Sequence, residues 1–149
     1  MYGLIIGKFH PPHKGHRFLI DTATSEVDQL TILLCDSHDF SIPVESRMKW
    51  LRQLHPHADI RVLNQDAFDN DDANNWIKAT LDIIGEPPDC VFSSEDYGIQ
   101  YADQLGCQHR MVDKERTTVP VSGREFWKNP KAHLDYLEPL VAEYFLSEG

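Results

Sequence analysis

The chain has 149 residues, 41% hydrophobic and 26% charged, with 24 acids and 14 bases for a formal net charge of −10. Length and composition fit one globular domain over residues 1–149, able to bury about 68–70% of its unfolded surface, and exclude fibrous or disordered chains. The negative charge argues against a nucleic-acid binder, because phosphate-backbone affinity needs a basic face that displaces counterions.

That charge is unevenly spread. Residues 1–20 hold Lys8, Lys14 and Arg17 with no acid, and residues 110–131 hold six bases against three acids, so two +3 islands stand in a background of −16. Such islands suggest a small anionic ligand rather than a polyanion; chance clumping of bases is the other reading at this point. Cys35, Cys90 and Cys107 form no close-spaced pair, which fits a reducing, cytoplasmic setting better than a disulfide framework. The longest apolar runs are a few residues, against the roughly 20 that span a bilayer, and the N-terminus lacks a signal-peptide apolar region, so no membrane partner is expected.

Taken in chain order, short β-type runs alternate with segments of helical period. Strands are predicted at Leu4–Ile6, Leu30–Cys35, Ile60–Leu63, Cys90–Ser93 and Arg110–Val112. Helices are predicted where apolar residues recur at three and four: Leu19, Ile20 and Ala23; Met48, Leu51 and Leu54; Ile77, Leu81 and Ile84. Gly85-Glu86-Pro87-Pro88 closes the third, and Leu105-Gly106 closes a short fourth. This alternation implies an α/β fold: a Rossmann-like, doubly wound, five-stranded parallel sheet with helices on both faces and ligands at the strand carboxyl ends. Residues 130–149 form a C-terminal helical extension, which Pro139 should break near Glu138. The stretch Gln65–Asn74, with Asp66, Asp69, Asp71 and Asp72, reads as a solvated loop without calcium-loop spacing.

The first island occupies the turn after strand one, Gly7-Lys8-Phe9-His10-Pro11-Pro12-His13-Lys14-Gly15-His16. Gly7 lets backbone pass close to a ligand, the prolines hold the loop extended, and free amides at the following helix start face a negative group. His16 shares a helical face with Leu19, Ile20 and Ala23, so it points inward. A P-loop is excluded, because only three residues separate Gly3 from Gly7 and Phe9 follows Lys8; a dinucleotide G-x-G-x-x-G is absent. His10, His13 and His16 recur at intervals of three, but Pro11 and Pro12 keep one helix from presenting all three to zinc.

These ten residues match the G-x-F-x-P-x-H-x-G-H signature of the nucleotidyltransferase superfamily at every defined position, through Gly7, Phe9, Pro11, His13, Gly15 and His16. The resemblance implies that His13 and His16 bind a nucleotide triphosphate and stabilise charge while its α-phosphate is attacked. Ser46-Arg47-Met48-Lys49-Trp50, Asn75-Trp76, Val91-Phe92-Ser93-Ser94-Glu95 and Val112-Asp113-Lys114-Glu115-Arg116-Thr117 further resemble, in order, segments of NadR-type nicotinamide-nucleotide adenylyltransferase domains. By that likeness Asn75, Trp76 and Arg47 touch the acceptor, and Arg116 meets phosphate. Without it, Trp50 and Trp76 read first as core aromatics, and Arg47 as a surface ion-pair partner.

The second island departs from the pattern. Where those relatives have I-S-x-T-x-x-R, this chain has Val121-Ser122-Gly123-Arg124-Glu125-Phe126-Trp127, with Arg124 at the threonine position and Trp127 at the arginine position. Ser122 and Glu125 predict a capping box, so a helix should begin at Gly123 and offer amides to phosphate, with Arg124 in its first turn standing in for the missing arginine. The expected phosphate set is therefore Lys8, His13, His16 and Arg124 as catalytic groups, with Gly7, Phe9, Gly15, Arg116, Ser122 and Gly123 around them.

The reaction the resemblance implies is attack by the 5′-phosphate of nicotinamide mononucleotide on the α-phosphate of ATP, yielding NAD and pyrophosphate without a covalent intermediate. Mg²⁺ would be held by phosphates and water rather than by protein ligands. The partners expected are ATP and a mononucleotide, and a homo-oligomer is compatible with the sequence. The alternatives are the same fold acting on another phosphate ester such as phosphopantetheine, or a non-catalytic nucleotide sensor. A second activity of the bifunctional relatives is not expected, since no P-loop is present.

Overall fold

In the computed structural model, which describes residues 1–147, β1 (Tyr2–Gly7), β2 (Gln29–Asp36), β3 (Asp59–Asn64), β4 (Cys90–Ser93) and β5 (Gln108–Met111) form one parallel sheet in the order β3-β2-β1-β4-β5. In β2 every residue from Leu30 to Cys35 is buried, as befits a strand covered on both faces, whereas edge strand β5 buries none of its four fully. The chain steps outward from β1 through β2 to β3 and then returns to the far side of β1 for β4 and β5. That reversal opens a crevice at the carboxyl ends of β1 and β4, beside Gly7 and Ser93.

Helices α1 (Lys14–Glu26) and α2 (Val44–Leu54) cover one face, where Ile5, Ile32, Leu34 and Phe92 pack with Leu19, Ile20, Ala23 and Leu51. The alternate residues Leu4, Leu33, Cys35 and Val91 point to the other face. There α3 (Ala73–Ile84) and α4 (Tyr97–Leu105) supply Trp76, Ile77, Leu81, Tyr101, Ala102 and Leu105. Both helices stop at the predicted glycines, Gly85 and Gly106.

After β5 come α5 (Gly123–Lys128), a 3₁₀ segment (Pro130–Tyr136) and α6 (Pro139–Ser147). Phe126, Leu137 and Val141 pack with Ile42 and Trp50, fastening this extension to α2. The break falls where predicted: Leu137 is extended and Pro139 opens α6, where its missing N–H costs nothing. The last two residues of the predicted 130–149 segment lie outside the described residues. The fifth strand sits two residues earlier at its start than predicted, although Val112 remains buried. Among the described residues no helix is long and apolar enough to cross a membrane.

Candidate active site

At the start of α1 the two signature histidines cap the helix and each other. His13 Nδ1 accepts from the His16 amide at 3.2 Å, and His16 Nδ1 accepts from the His13 amide at 3.1 Å. Their rings stack at 3.6 Å between centroids. Two of the helix's orphan donors are thereby satisfied by imidazole, the arrangement that a serine and a glutamate supply in an ordinary capping box. Because each Nδ1 accepts, the hydrogen-bond network assigns the proton of each neutral ring to Nε2. Burial, then the nearby Arg116 guanidinium, pushes the pKa of His13 down to about 3. Burial chiefly, then His13 and Arg116, holds His16 well below the ordinary histidine value. Both rings are therefore neutral N–H donors at physiological pH. The stack also explains Gly15: a Cβ there would lie 2.8 Å from His13 Cε1. Gly7 is similarly confined, since its Cβ would meet the Phe9 ring at 3.1 Å.

A cleft of about 860 Å³ opens above these residues at the carboxyl ends of the strands. Of the predicted residues, Gly7, Lys8, Phe9, Gly15, His16, Trp76, Arg116, Gly123 and Arg124 line it. His13 does not: it is 4% exposed, stacked against His16 from behind. Lys8 reaches over the Phe40 ring, 5.5 Å from its centroid, and Arg124 makes no hydrogen bond or ion pair among the described residues. Arg116 donates to Glu95 Oε1 at 2.9 Å. Its loop is tied by Asp113, whose carboxylate accepts from the amides of Thr117, Thr118 and Val119, contacts that hold its pKa below the usual carboxylate range.

Arg47 requires a correction. It was expected at the acceptor, yet its side chain is fully buried behind the cleft. The guanidinium donates to the carbonyls of Lys8 (2.8 Å), Cys35 (2.9 Å) and Ile42 (3.1 Å) and pairs with Asp36. Four of the five guanidinium N–H donors are spent on these protein groups, so Arg47 clamps the ends of β1 and β2 to the loop before α2 and, fully buried, does not line the cleft.

The second island is partly as expected. Ser122 Oγ accepts from the Glu125 amide at 3.2 Å, but Glu125 turns away to Lys128, so only half of the predicted capping box forms. Ser122 is occupied by the cap and does not line the cleft, and α5 has only six residues. Trp127 stacks on His10 at 5.3 Å and donates its indole N–H to the His10 carbonyl at 2.6 Å. Phe40 also packs near His10, tilted, with centroids 5.1 Å apart.

Trp76, also in the cleft lining, lies edge-on to Phe68 and donates its N–H to the Asn70 carbonyl at 3.0 Å. Asn75, the other expected acceptor contact, is absent from the lining; its amide donates to the Asp69 carbonyl and ties down the acidic loop. Sequence reasoning missed Gln65, His10, Phe40 and the α4 face made by Tyr97, Gln100, Tyr101 and Gln104. The three- and four-residue spacing of that last set was its available signal.

Comparison with known proteins places this geometry. The cytidylyltransferase-like family model matches residues 4–132. The trifunctional NAD biosynthesis/regulator proteins NadR of Salmonella typhimurium and Escherichia coli are each 30% identical over 97% of this chain. The chain spans only 40% of the length of those relatives. Among solved structures, NadR in complex with NR aligns over 94% of this chain and 44% of its own, with a TM-score of 0.72 at 18% identity. NadR with NAD and AMP-PNP aligns over 93% and 45%, with a TM-score of 0.67 at 20% identity. A bifunctional NMN adenylyltransferase/ADP ribose pyrophosphatase of Francisella tularensis aligns over 75% and 36%, with a TM-score of 0.57 at 17% identity. These structural likenesses concern the fold, and with the family match across most of its length the chain belongs to the cytidylyltransferase-like family, within the nucleotidyltransferase class of enzymes.

Proposed function

We propose that this chain transfers AMP from ATP to nicotinamide mononucleotide, giving NAD and pyrophosphate by direct in-line attack. The observation that carries this reading is the two-part lining of one cleft. His16, Lys8, Arg116 and Arg124 furnish donors and positive charge, and an uncharged part contains Trp76. A triphosphate and an aromatic mononucleotide suit such a cavity, whose volume lies within the usual range for small-molecule sites. The NAD biosynthesis role carried in the name of the 30%-identical relatives supports the choice of acceptor.

In this reading His16 donates Nε2–H to phosphate oxygen without gaining or losing a proton, and His13 holds the ring and the helix cap in place. Lys8 and Arg124, which form no ion pair among the described residues, oppose the charge that grows on the leaving pyrophosphate. The Lys14 and Gly15 amides lack intrahelical acceptors and add to the same field. Arg116 contributes while sharing its guanidinium with Glu95. No nucleophile is required: burial pushes the Cys35 thiol up to about 12, far from a thiolate at neutral pH. Glu95 is the one carboxylate among the described lining residues and is paired with Arg116, so the donor set fits Mg²⁺ carried in by the triphosphate and water. Bound in that way, Mg²⁺ would neutralise phosphate charge.

Incubation with ATP, Mg²⁺ and, in turn, nicotinamide mononucleotide, nicotinate mononucleotide and phosphopantetheine, with pyrophosphate and product measured, tests the assignment. NAD formation is expected. Turnover of phosphopantetheine alone, or tight ATP binding without any turnover, would refute it.

A further inference from the structure

The part of the cleft around Trp76 holds a polar group with nothing to bind. Gln65 opens the 3₁₀ turn Gln65–Ala67 after β3 and lines the cleft with Trp76 and Ala73. Its Oε1 is buried and has no hydrogen-bond partner among the described residues. Native structures pair nearly all such atoms, and an orphan lining a ligand cleft needs a reason. Two other polar groups of the cleft lining are already paired: the Trp76 indole with the Asn70 carbonyl, and the Tyr101 hydroxyl with Thr80 at 2.7 Å. The uncharged side chains of Ile6, Cys35, Ala73, Trp76, Tyr101 and Gln104 line the same cleft.

Resting on the pyridine-nucleotide reading above, we propose that Gln65 is the specificity residue for the acceptor. Its amide pairs with the carboxamide of nicotinamide mononucleotide, Oε1 accepting from the ligand N–H and Nε2 donating to the ligand carbonyl. A nicotinate ring would bring a carboxylate, which has no donor for Oε1. The argument survives an exchange of the amide's two ends, since a carboxamide ligand can turn to match either orientation whereas a carboxylate presents acceptors in both.

The test compares kcat/KM for nicotinamide and nicotinate mononucleotides in the wild-type chain, Gln65→Met and Gln65→Lys, with the melting temperature of each protein recorded. The wild type is expected to favour the nicotinamide form by at least about tenfold, the scale of one buried hydrogen bond to a polar group. Gln65→Met should raise KM for that form alone by about tenfold, leaving KM for ATP unchanged. Gln65→Lys should shift preference toward nicotinate. Equal use of both acceptors by the wild type, or an unchanged ratio in folded Gln65→Met and Gln65→Lys, overturns the assignment of Gln65 while leaving the adenylyltransferase reading intact. Turnover with neither pyridine mononucleotide but with another phosphate ester overturns both.

Discussion

Replacing Gly15 with alanine separates two opposing effects whose sizes can be compared. An alanine at the second position of α1 gains about 1 kcal/mol of helix propensity over glycine. The new methyl, however, would stand 2.8 Å from His13 Cε1, 3.0 Å from His13 Nδ1 and 3.1 Å from Val121 Cγ2. The His13 ring cannot swing aside freely, because its Nδ1 caps the His16 amide and its face rests on the His16 ring at 3.6 Å. Giving up the two reciprocal cap bonds costs about 1 kcal/mol each, and an off-rotamer imidazole costs about 0.5–1.5 kcal/mol more. The clash therefore wins by about 1.5–2.5 kcal/mol, which lowers Tm by roughly 3–10 °C in a domain of this size. Function should suffer more than stability: a shift of about 1 Å in His16 costs about 10²-fold in rate. Thermal melts and initial rates of pyrophosphate release under saturating ATP and acceptor provide the two readouts. Gly15→Ala with a raised Tm and wild-type kcat would show that the stack yields at no cost, and the reciprocal capping argument would then be wrong.

Arg124→Ala should lower kcat/KM for ATP by about 10²-fold if this guanidinium replaces the missing arginine; no effect, together with a manyfold gain in Trp127→Arg, would refute the replacement. Arg47→Met should destabilise the chain by about 3–5 kcal/mol in denaturant unfolding, because it strands Asp36 and three carbonyls. A stable Arg47→Met protein with only acceptor KM raised would restore the discarded acceptor role. Acid should unfold the protein early through His13, whose pKa falls from 6.5 unfolded to about 3 folded. The unfolded chain binds the proton first, so this contribution is complete above pH 6.5 and is lost as pH falls toward 3, by about 2–3 kcal/mol at pH 4.5. His13→Gln, which keeps an acceptor but cannot titrate, should flatten that slope, and an unchanged slope would exclude His13 as its source.

The turn from β1 into α1 was legible because its information is local: spacing, glycines and prolines within ten residues set the backbone, and the histidine pair lies inside the same stretch. The mutual cap was legible in principle as an H-x-x-H version of a box normally written with serine and glutamate. Arg47 misled because a helix pattern reports only which residues are apolar. It does not report that the ends of β1 and β2 and the loop at Ile42 converge three carbonyls on one position. The contact of Trp127 was not legible for the same reason at greater range, since its partner His10 lies 117 residues away. In the second island the S-x-x-E pattern correctly placed a helix start, but Lys128 competed for Glu125 and won.

The neutrality of the two histidines changes what the basic islands are for. If His13 and His16 carried charge, the first island would attract phosphate through imidazolium and lose that attraction as pH rose through the histidine range. Neutral and capped, they contribute dipoles already oriented before the nucleotide arrives, while net attraction falls to Lys8, Arg116 and Arg124, with Glu95 offsetting part of it. Preorganised neutral donors have little reorganisation to undergo when charge moves from the α-phosphate to the leaving group, and they work best where water is excluded. A formal charge of −10 is compatible with such a site because the attraction is local: at physiological salt the screening length is about 8 Å, so exposed acids farther away weigh little on a triphosphate held in the cleft.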